Sequence, residues 1–246
     1  MESTKLTEKR KQPKPLTAPN VHETVARLLI DEPRGKVLDV GAGEGALTSR
    51  IKRMGFDVEA CDFSKEYFKV DSIVCKTADL NSALPYRNDF FDYCLCVEVI
   101  EHLHDPWHLI SEINRIMKRD GKLVITTPNI HSIVSRLRFL LYGEHSFFLY
   151  NELKSKSTSV PERLLKHINP VSFPELEHIL LENRMEIDQI ATNKYYNKDL
   201  SNAGLISRIL YPPTKTIMLS HFGRETFFTS DELIAGQVLI LKVKKN

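Results

Sequence analysis

Within ten residues the sequence CVEVIEHLHD, Cys96 to Asp105, sets the carboxylates of Glu98 and Glu101 beside the imidazole of His102. This group closes an apolar run, FFDYCLCVEV, whose composition reads as a strand buried on both faces. Ionisable groups at the mouth of a core cost desolvation, so their presence needs a reason. One reason is structural, with Glu101 and His102 capping and orienting the loop that follows. The other is chemical. His102, or Glu98 beside it, can take a proton from a substrate hydroxyl as its oxygen attacks an electrophilic carbon.

A second constellation lies upstream, in VLDVGAGEG. Gly41 and Gly43 allow a tight turn and close approach of backbone to a ligand, and the helix after them offers oriented N–H groups. Asp62 ends the next strand, where it can accept hydrogen bonds from ribose hydroxyls. Gly41, Gly43 and Ala46 formally satisfy the dinucleotide pattern, so an NAD-dependent oxidoreductase is one reading. Two acids favour another. Asp39 before the turn would repel a pyrophosphate, and Asp79 in TADLNSALPY could bind an exocyclic adenine amine. Acids around the pocket suit S-adenosylmethionine, which carries a sulfonium and an amino group.

The elements that must position these groups follow from the apolar pattern. Lys36 to Ser64 reads strand, glycine turn, helix, strand, with Leu47, Ile51 and Met54 at helical spacing and Gly55 closing the helix. A weak helix is expected over Ser64 to Val70, a short strand over Ile73 to Lys76 and a buried strand over Phe90 to Val97. An amphipathic helix over Pro106 to Lys118, a turn at Asp120-Gly121 and a strand over Lys122 to Thr127 follow. The alternation predicts a doubly wound α/β sheet. The rhythm breaks at about 130–170 and 193–231, which read as insertions in one domain spanning 20–246. Residues 1–19, with three prolines and several lysines, read as a flexible tail without the apolar core of a signal peptide. LISRILYPPTKTIML, Leu205 to Leu219, reads as a buried helix pair broken at Pro212-Pro213.

Composition narrows the classes. The 246 residues are 42% hydrophobic, enough for one substantial core, and the net charge of +2 argues against a dedicated nucleic-acid binder. No stretch reaches the length of a membrane helix, so stable membrane insertion is not expected. Cys61, Cys75, Cys94 and Cys96 sit in apolar, strand-like surroundings and read as buried thiols, which points to a reducing cytoplasm.

VLDVGAGEGALT, CDFS, ADLNSALPYRNDFFDYCLCVEVIEHLHDP and IMKRDGKLVITTPN, in this order and spacing, resemble the class I S-adenosylmethionine-dependent methyltransferases. The resemblance covers about Lys36 to Asn129. It implies a seven-stranded, Rossmann-like sheet with the last strand antiparallel. It also implies that Asp39, Gly41, Ala42 and Gly43 flank the methionine part of the cofactor. Asp62 would hold the ribose, Phe63 would pack on the adenine, and Asp79 with Leu80 would read its edge. Glu44 receives no role.

E-x-x-E-H resembles, in particular, the ubiquinone-pathway O-methyltransferases and small-RNA 2′-O-methyltransferases, in which two Glu and two His are associated with a divalent cation. That resemblance implies a magnesium or manganese site at Glu98, Glu101 and His102, with His167 of KHINPVSF as the fourth ligand. His104, His108 and His178 read as surface or helix histidines. A looser likeness, in TPNIHSIVSRLRFLLYG and KHINPVSFPELEHILLENRMEI, is to bacterial methyltransferases of surface-glycan synthesis. The expected activity is O-methylation of a small-molecule or glycan hydroxyl; N-methylation and RNA 2′-O-methylation are the alternatives. Oxygen is preferred because no N-P-P-Y-type turn follows the fourth strand. Arg136, Arg138, Lys154, Lys156, Arg163 and Lys166 suggest an anionic acceptor.

Overall fold

The computed structural model describes residues 12–149 and 166–246. Its strands are β1 (Lys36–Val40), β2 (Asp57–Asp62), β3 (Cys75–Thr77), β4 (Phe91–Val97), β5 (Met117–Pro128), β6 (Met185–Thr192) and β7 (Val238–Lys245). They form one sheet in the order β3-β2-β1-β4-β5-β7-β6. β1 to β5 run parallel, and β7 enters between β5 and β6 antiparallel to both. The helices are α1 (Val21–Leu28), α2 (Ala46–Arg53), α3 (Pro106–Ile116), α4 (Ile133–Tyr142), α5 (Phe173–Glu182), α6 (Asn202–Phe222) and α7 (Asp231–Ala235). This is the doubly wound sheet that the alternation predicts, with the seven strands and antiparallel last strand that the family resemblance implies.

Strand alternation divides the core in two. Leu38, Val40, Cys94 and Cys96 face a cluster that includes Leu109 and Ile113 of α3 and Ile179 of α5. Val37, Leu95 and Val97 face the opposite cluster, with Val25 of α1 and Ile51 of α2. Leu109, Ile110, Ile113 and Ile116 are fully buried, each burial contributing roughly 1.5–3 kcal/mol. An aspartate at Ile113 would break this packing. Asp105 starts α3 by accepting the His108 N–H at 3.0 Å, with Pro106 in the first turn.

Several local expectations change. The turn at Asp120-Gly121 does not separate two elements, because β5 already begins at Met117. Phe91 pairs with Met117 and Tyr93 with Lys122, so the intervening residues form a bulge in which Asp120 adopts φ 61°. The weak helix after β2 contracts to one 3₁₀ turn, Lys65–Tyr67. The stretch 193–231 is far from irregular. It holds α6, 21 residues long, which continues through Pro212 and Pro213. The prolines remove two N–H donors, but their neighbours are held from outside: the Tyr211 hydroxyl and the Lys215 ammonium both bond Asp231. Thr216 Oγ1 also returns to the Pro212 carbonyl at 3.0 Å. α6 is therefore neither a broken pair nor buried, with Leu205, Ile209 and Ile217 more than half exposed. Among the described residues, no helix is long and apolar enough to cross a membrane.

Residues 14–19, read from the sequence as part of a flexible tail, are held by hydrogen bonds. The Lys14 N–H donates to Glu44 at 2.8 Å, and Asn193 Nδ2 donates to the Pro19 carbonyl at 3.0 Å, so residues 14–19 lie against the domain.

Candidate active site

A cleft of about 400 Å³ opens at the C-terminal ends of β1, β2 and β4, the end at which ligands bind in open α/β sheets. Its floor is the glycine turn. Gly41 and Ala42 donate their N–H groups to the Cys61 carbonyl at 2.8 and 3.1 Å, which locks the turn to the end of β2. Gly41 has φ 72°, and a Cβ there would lie 2.5 Å from Val99 Cγ2, so the position requires glycine. Asp62 accepts the Gly43 N–H at 2.9 Å and the Ser64 N–H at 3.2 Å. Those bonds fix its carboxylate at the cleft and leave lone pairs for further donors.

Asp39 is buried and accepts from the Thr48 hydroxyl; burial, more than the nearby Asp62, pushes its pKa up to about 6. Phe63 is 47% exposed and presents its ring at the cleft. Asp79 and Leu80 line the same wall. The Asp79 carboxylate accepts from the Asn81 N–H at 3.0 Å and from the Ser82 hydroxyl at 3.3 Å. All eight residues expected from the sequence thus line one cleft: Asp39, Gly41, Ala42, Gly43, Asp62, Phe63, Asp79 and Leu80.

The second half of the site grows from the end of β4. Glu98 takes φ 54°, a strained conformation for a residue with a side chain, and is held there twice by Thr126 of β5. Its N–H donates to Thr126 Oγ1 at 2.9 Å, and that hydroxyl donates to Glu98 Oε1 at 3.0 Å. Burial raises the Glu98 pKa to about 7, partly offset by the Thr126 bond. The one-turn helix Ile100–His102 follows, and there Glu101 is fully buried. Neither of its carboxylate oxygens has a well-formed hydrogen bond. Burial first, then Glu98, raises its pKa well above the usual carboxylate range; Thr127 offsets this only in part.

His167 arrives from a distant segment through backbone bonds. The Glu101 carbonyl accepts the N–H groups of Ile168 at 2.9 Å and Asn169 at 3.0 Å, which carries residues 166–169 onto the 3₁₀ turn. The His102 and His167 rings then meet edge to face, their centroids 4.8 Å apart. The Lys166 carbonyl lies 2.9 Å from His102 Nδ1 and the Phe147 carbonyl 2.8 Å from His167 Nδ1. A carbonyl accepts only, so each ring donates a proton from Nδ1. Burial, with His167 adding to it, lowers the His102 pKa to about 4, so its ring is neutral at pH 7. Ligand atoms of Glu101, His102 and His167 lie within 4.8 Å of one another. Glu98 stands outside this close group and bonds Thr126 instead.

Other expectations fare differently. His104, placed at the surface, also lines the cleft. Arg136 packs against Met218 of α6, and Arg138 pairs with Glu144 at 3.0 Å, so both are engaged away from the cleft. Lys154, Lys156 and Arg163 lie outside the described residues. Sequence reasoning missed Lys14, Leu16 and His22, which form one wall of the cleft. Leu16 among prolines was the sole apolar signal in that segment. Glu44, given no role, bonds Lys14 and pairs with Lys69.

This architecture and cleft define a class I S-adenosylmethionine-dependent methyltransferase. A family model described as a methyltransferase domain matches residues 11–193, and the chain belongs to that family. Membership sets aside the nicotinamide alternative for the glycine turn. The ubiquinone biosynthesis O-methyltransferase of Psychrobacter cryohalolentis is 30% identical over 132 residues, 46% of this chain and 51% of that protein. Its counterpart from Xanthomonas oryzae is 31% identical over 126 residues, 47% and 53% respectively. The chain thus spans about half the length of the curated relatives it matches.

Among solved structures, a SAM-dependent methyltransferase from Archaeoglobus fulgidus aligns with TM-score 0.53 and 18% identity, over 91% of this chain and 94% of that one. The magnesium protoporphyrin IX methyltransferase of Synechocystis, solved with bound S-adenosylhomocysteine, aligns with TM-score 0.53 and 16% identity, over 92% and 82%. These two likenesses show the fold.

Proposed function

We propose that this chain transfers a methyl group from S-adenosylmethionine to a hydroxyl oxygen of a small-molecule or glycan acceptor. The observation that carries the reading is the group of half-buried Glu98, His102 and His167 around the fully buried Glu101, beside the cofactor cleft. In the cleft, Asp62 accepts the ribose hydroxyls, Phe63 covers the adenine and Asp79 with Leu80 meets its edge. Asp39 and the Gly41–Ala42–Gly43 turn flank the methionine part. The acceptor oxygen attacks the methyl carbon in line with the sulfonium; the O–C bond forms as the C–S bond breaks, and the sulfur leaves as a neutral thioether. The hydroxyl proton passes to Glu98, whose pKa of about 7 lets it accept a proton near neutrality and release it afterwards. His102, held neutral, is the weaker base of the two and is better suited to orienting the acceptor through Nε2. Alignment of the two reactants supplies much of the rate.

The same group fits a divalent cation. A fully buried carboxylate with two unpartnered oxygens, next to the neutral His102 imidazole and within reach of the His167 ring, is a donor set suited to a positive charge. Glu101, His102 and His167 would hold magnesium or manganese, with Glu98 at its edge. Such an ion supplies polarisation of adjacent hydroxyls and a lower pKa for them. Acceptors with neighbouring oxygens follow from this. The four free thiols suit a reducing cytoplasm.

Calorimetric titration of Mn²⁺ into protein saturated with S-adenosylhomocysteine tests the metal, with Glu101→Ala as control. Binding that the control abolishes is the expected result. Methyl transfer from labelled cofactor to catechol and glycan hydroxyls, compared with amines, tests the reaction. Transfer to amines alone would overturn the oxygen assignment.

A further inference from the structure

The wall formed by Lys14, Leu16 and His22 belongs to a segment with no assigned purpose. Residues 14–19 run along the cleft wall as a strap pinned at both ends. At one end the Lys14 N–H donates to the Glu44 carboxylate at 2.8 Å. At the other, the Pro19 carbonyl accepts from Asn193 Nδ2 at 3.0 Å, and Ala18 packs against the core cluster under α1. Pro15 and Pro19 reduce the freedom the strap loses on docking.

Between those anchors Leu16 meets the glycine turn, its Cδ1 3.3 Å from where a Cβ on Gly43 would stand. Even so, Leu16 remains 65% exposed. A pinned strap that holds a large apolar side chain open to solvent, above a turn that receives a ligand, leaves that surface for the ligand to cover. Glu44 joins three pieces of the rim. It holds the strap through Lys14, and it holds the turn after β2 through an ion pair with Lys69 and a bond from the Lys69 N–H to its own carbonyl at 3.1 Å.

We infer that residues 14–19 are a closing strap for the cofactor, with Leu16 the side chain that covers the S-adenosyl group at Gly43 and Glu44 the latch. The inference rests on the cofactor reading given above and extends it to entry and release. With the latch bond formed the cofactor is enclosed on this side; its product leaves when Lys14 parts from Glu44. Leu16 and Glu44 therefore set the residence time of S-adenosylhomocysteine.

The test uses the full chain and four variants: Leu16→Ala, Leu16→Asp, Leu16→Met and Glu44→Ala. Calorimetry gives the Kd for S-adenosylhomocysteine and stopped-flow displacement gives its off-rate. Leu16→Ala is expected to weaken binding about tenfold, mostly by faster release, with Leu16→Asp weaker still and Leu16→Met near the parent. Glu44→Ala is expected to speed release by a similar factor. The ligand-free melting temperature should hardly move for the Leu16 variants, because the side chain is exposed without ligand. Off-rates within twofold of the parent in Leu16→Asp and Glu44→Ala would overturn the strap. So would a lowered melting temperature with unchanged release, which marks a structural segment only. A parent protein that binds no S-adenosylhomocysteine at all would instead overturn the cofactor reading beneath it.

Discussion

The two halves of the site are built by different means. On the cofactor side the glycine turn and Asp62 come from neighbouring turns of one βαβ unit: Gly43 bonds Asp62 at 2.9 Å, and Gly41 bonds the end of the adjacent strand. On the acceptor side, Glu101 and His102 meet His167 only because a backbone carbonyl draws a remote segment in. The first half spends backbone donors on a carboxylate and leaves it partly satisfied. The second buries a carboxylate with no well-formed bond at all. One half is finished as a binding surface; the other is under electrostatic tension that a proton, a cation or an acceptor must relieve.

That division predicts that variants on the two sides separate binding from turnover. Glu101→Ala should give the largest effect, lowering kcat by about 10³-fold while the S-adenosylhomocysteine Kd stays near the parent value. Parallel loss of cofactor affinity would merge the halves. Asp62→Ala should do the reverse, weakening S-adenosylhomocysteine about 10²-fold by calorimetry, since the Gly43 bond and the proposed ribose contact both go.

Glu98→Gln should cost about 10²-fold in kcat and flatten a pH profile that otherwise rises through about 7, because Glu98 in its proposed role as base must be unprotonated. Its stability effect has the opposite sense. The folded pKa of about 7 exceeds the unfolded 4.5, so the stabilisation from proton uptake is complete below 4.5 and lost as pH rises through 7. Glu98→Gln should therefore be more stable than the parent at pH 8, by on the order of 1–3 kcal/mol in urea unfolding, and gain little at pH 4. Asn169→Ala is the mildest probe. It removes a 3.3 Å bond to the Leu103 carbonyl and should lower kcat only about threefold, with cofactor binding intact.

The division also governs what the sequence discloses. Asp39, Gly41, Asp62 and Asp79 were readable because strand ends and a glycine turn encode their placement locally. Cys94 and Cys96 shared a face as alternation required. His167 was reachable only through a resemblance, since the bonds that place it run from main-chain N–H groups of Ile168 and Asn169 to a main-chain oxygen, and no side-chain type announces them. α6 was misjudged because Pro212-Pro213 argued for a break, while the supports that keep it whole converge on Asp231, beyond the helix. Leu16 went unread because its neighbours suggest a tail and its contact is with Gly43, across the chain.

The position of β7 has a consequence for how the molecule is assembled. β5 is apolar from Leu123 to Ile125, and among the described residues its outer edge is covered by Val238–Lys245, the strand through which β6 also joins the sheet. Until β7 docks, two strands have unpaired edges, the template for pairing with another molecule. Protection of the sheet thus falls to β7. A charged substitution at Leu241, buried between both neighbours, should show itself first as aggregation during refolding, before any loss at the cleft.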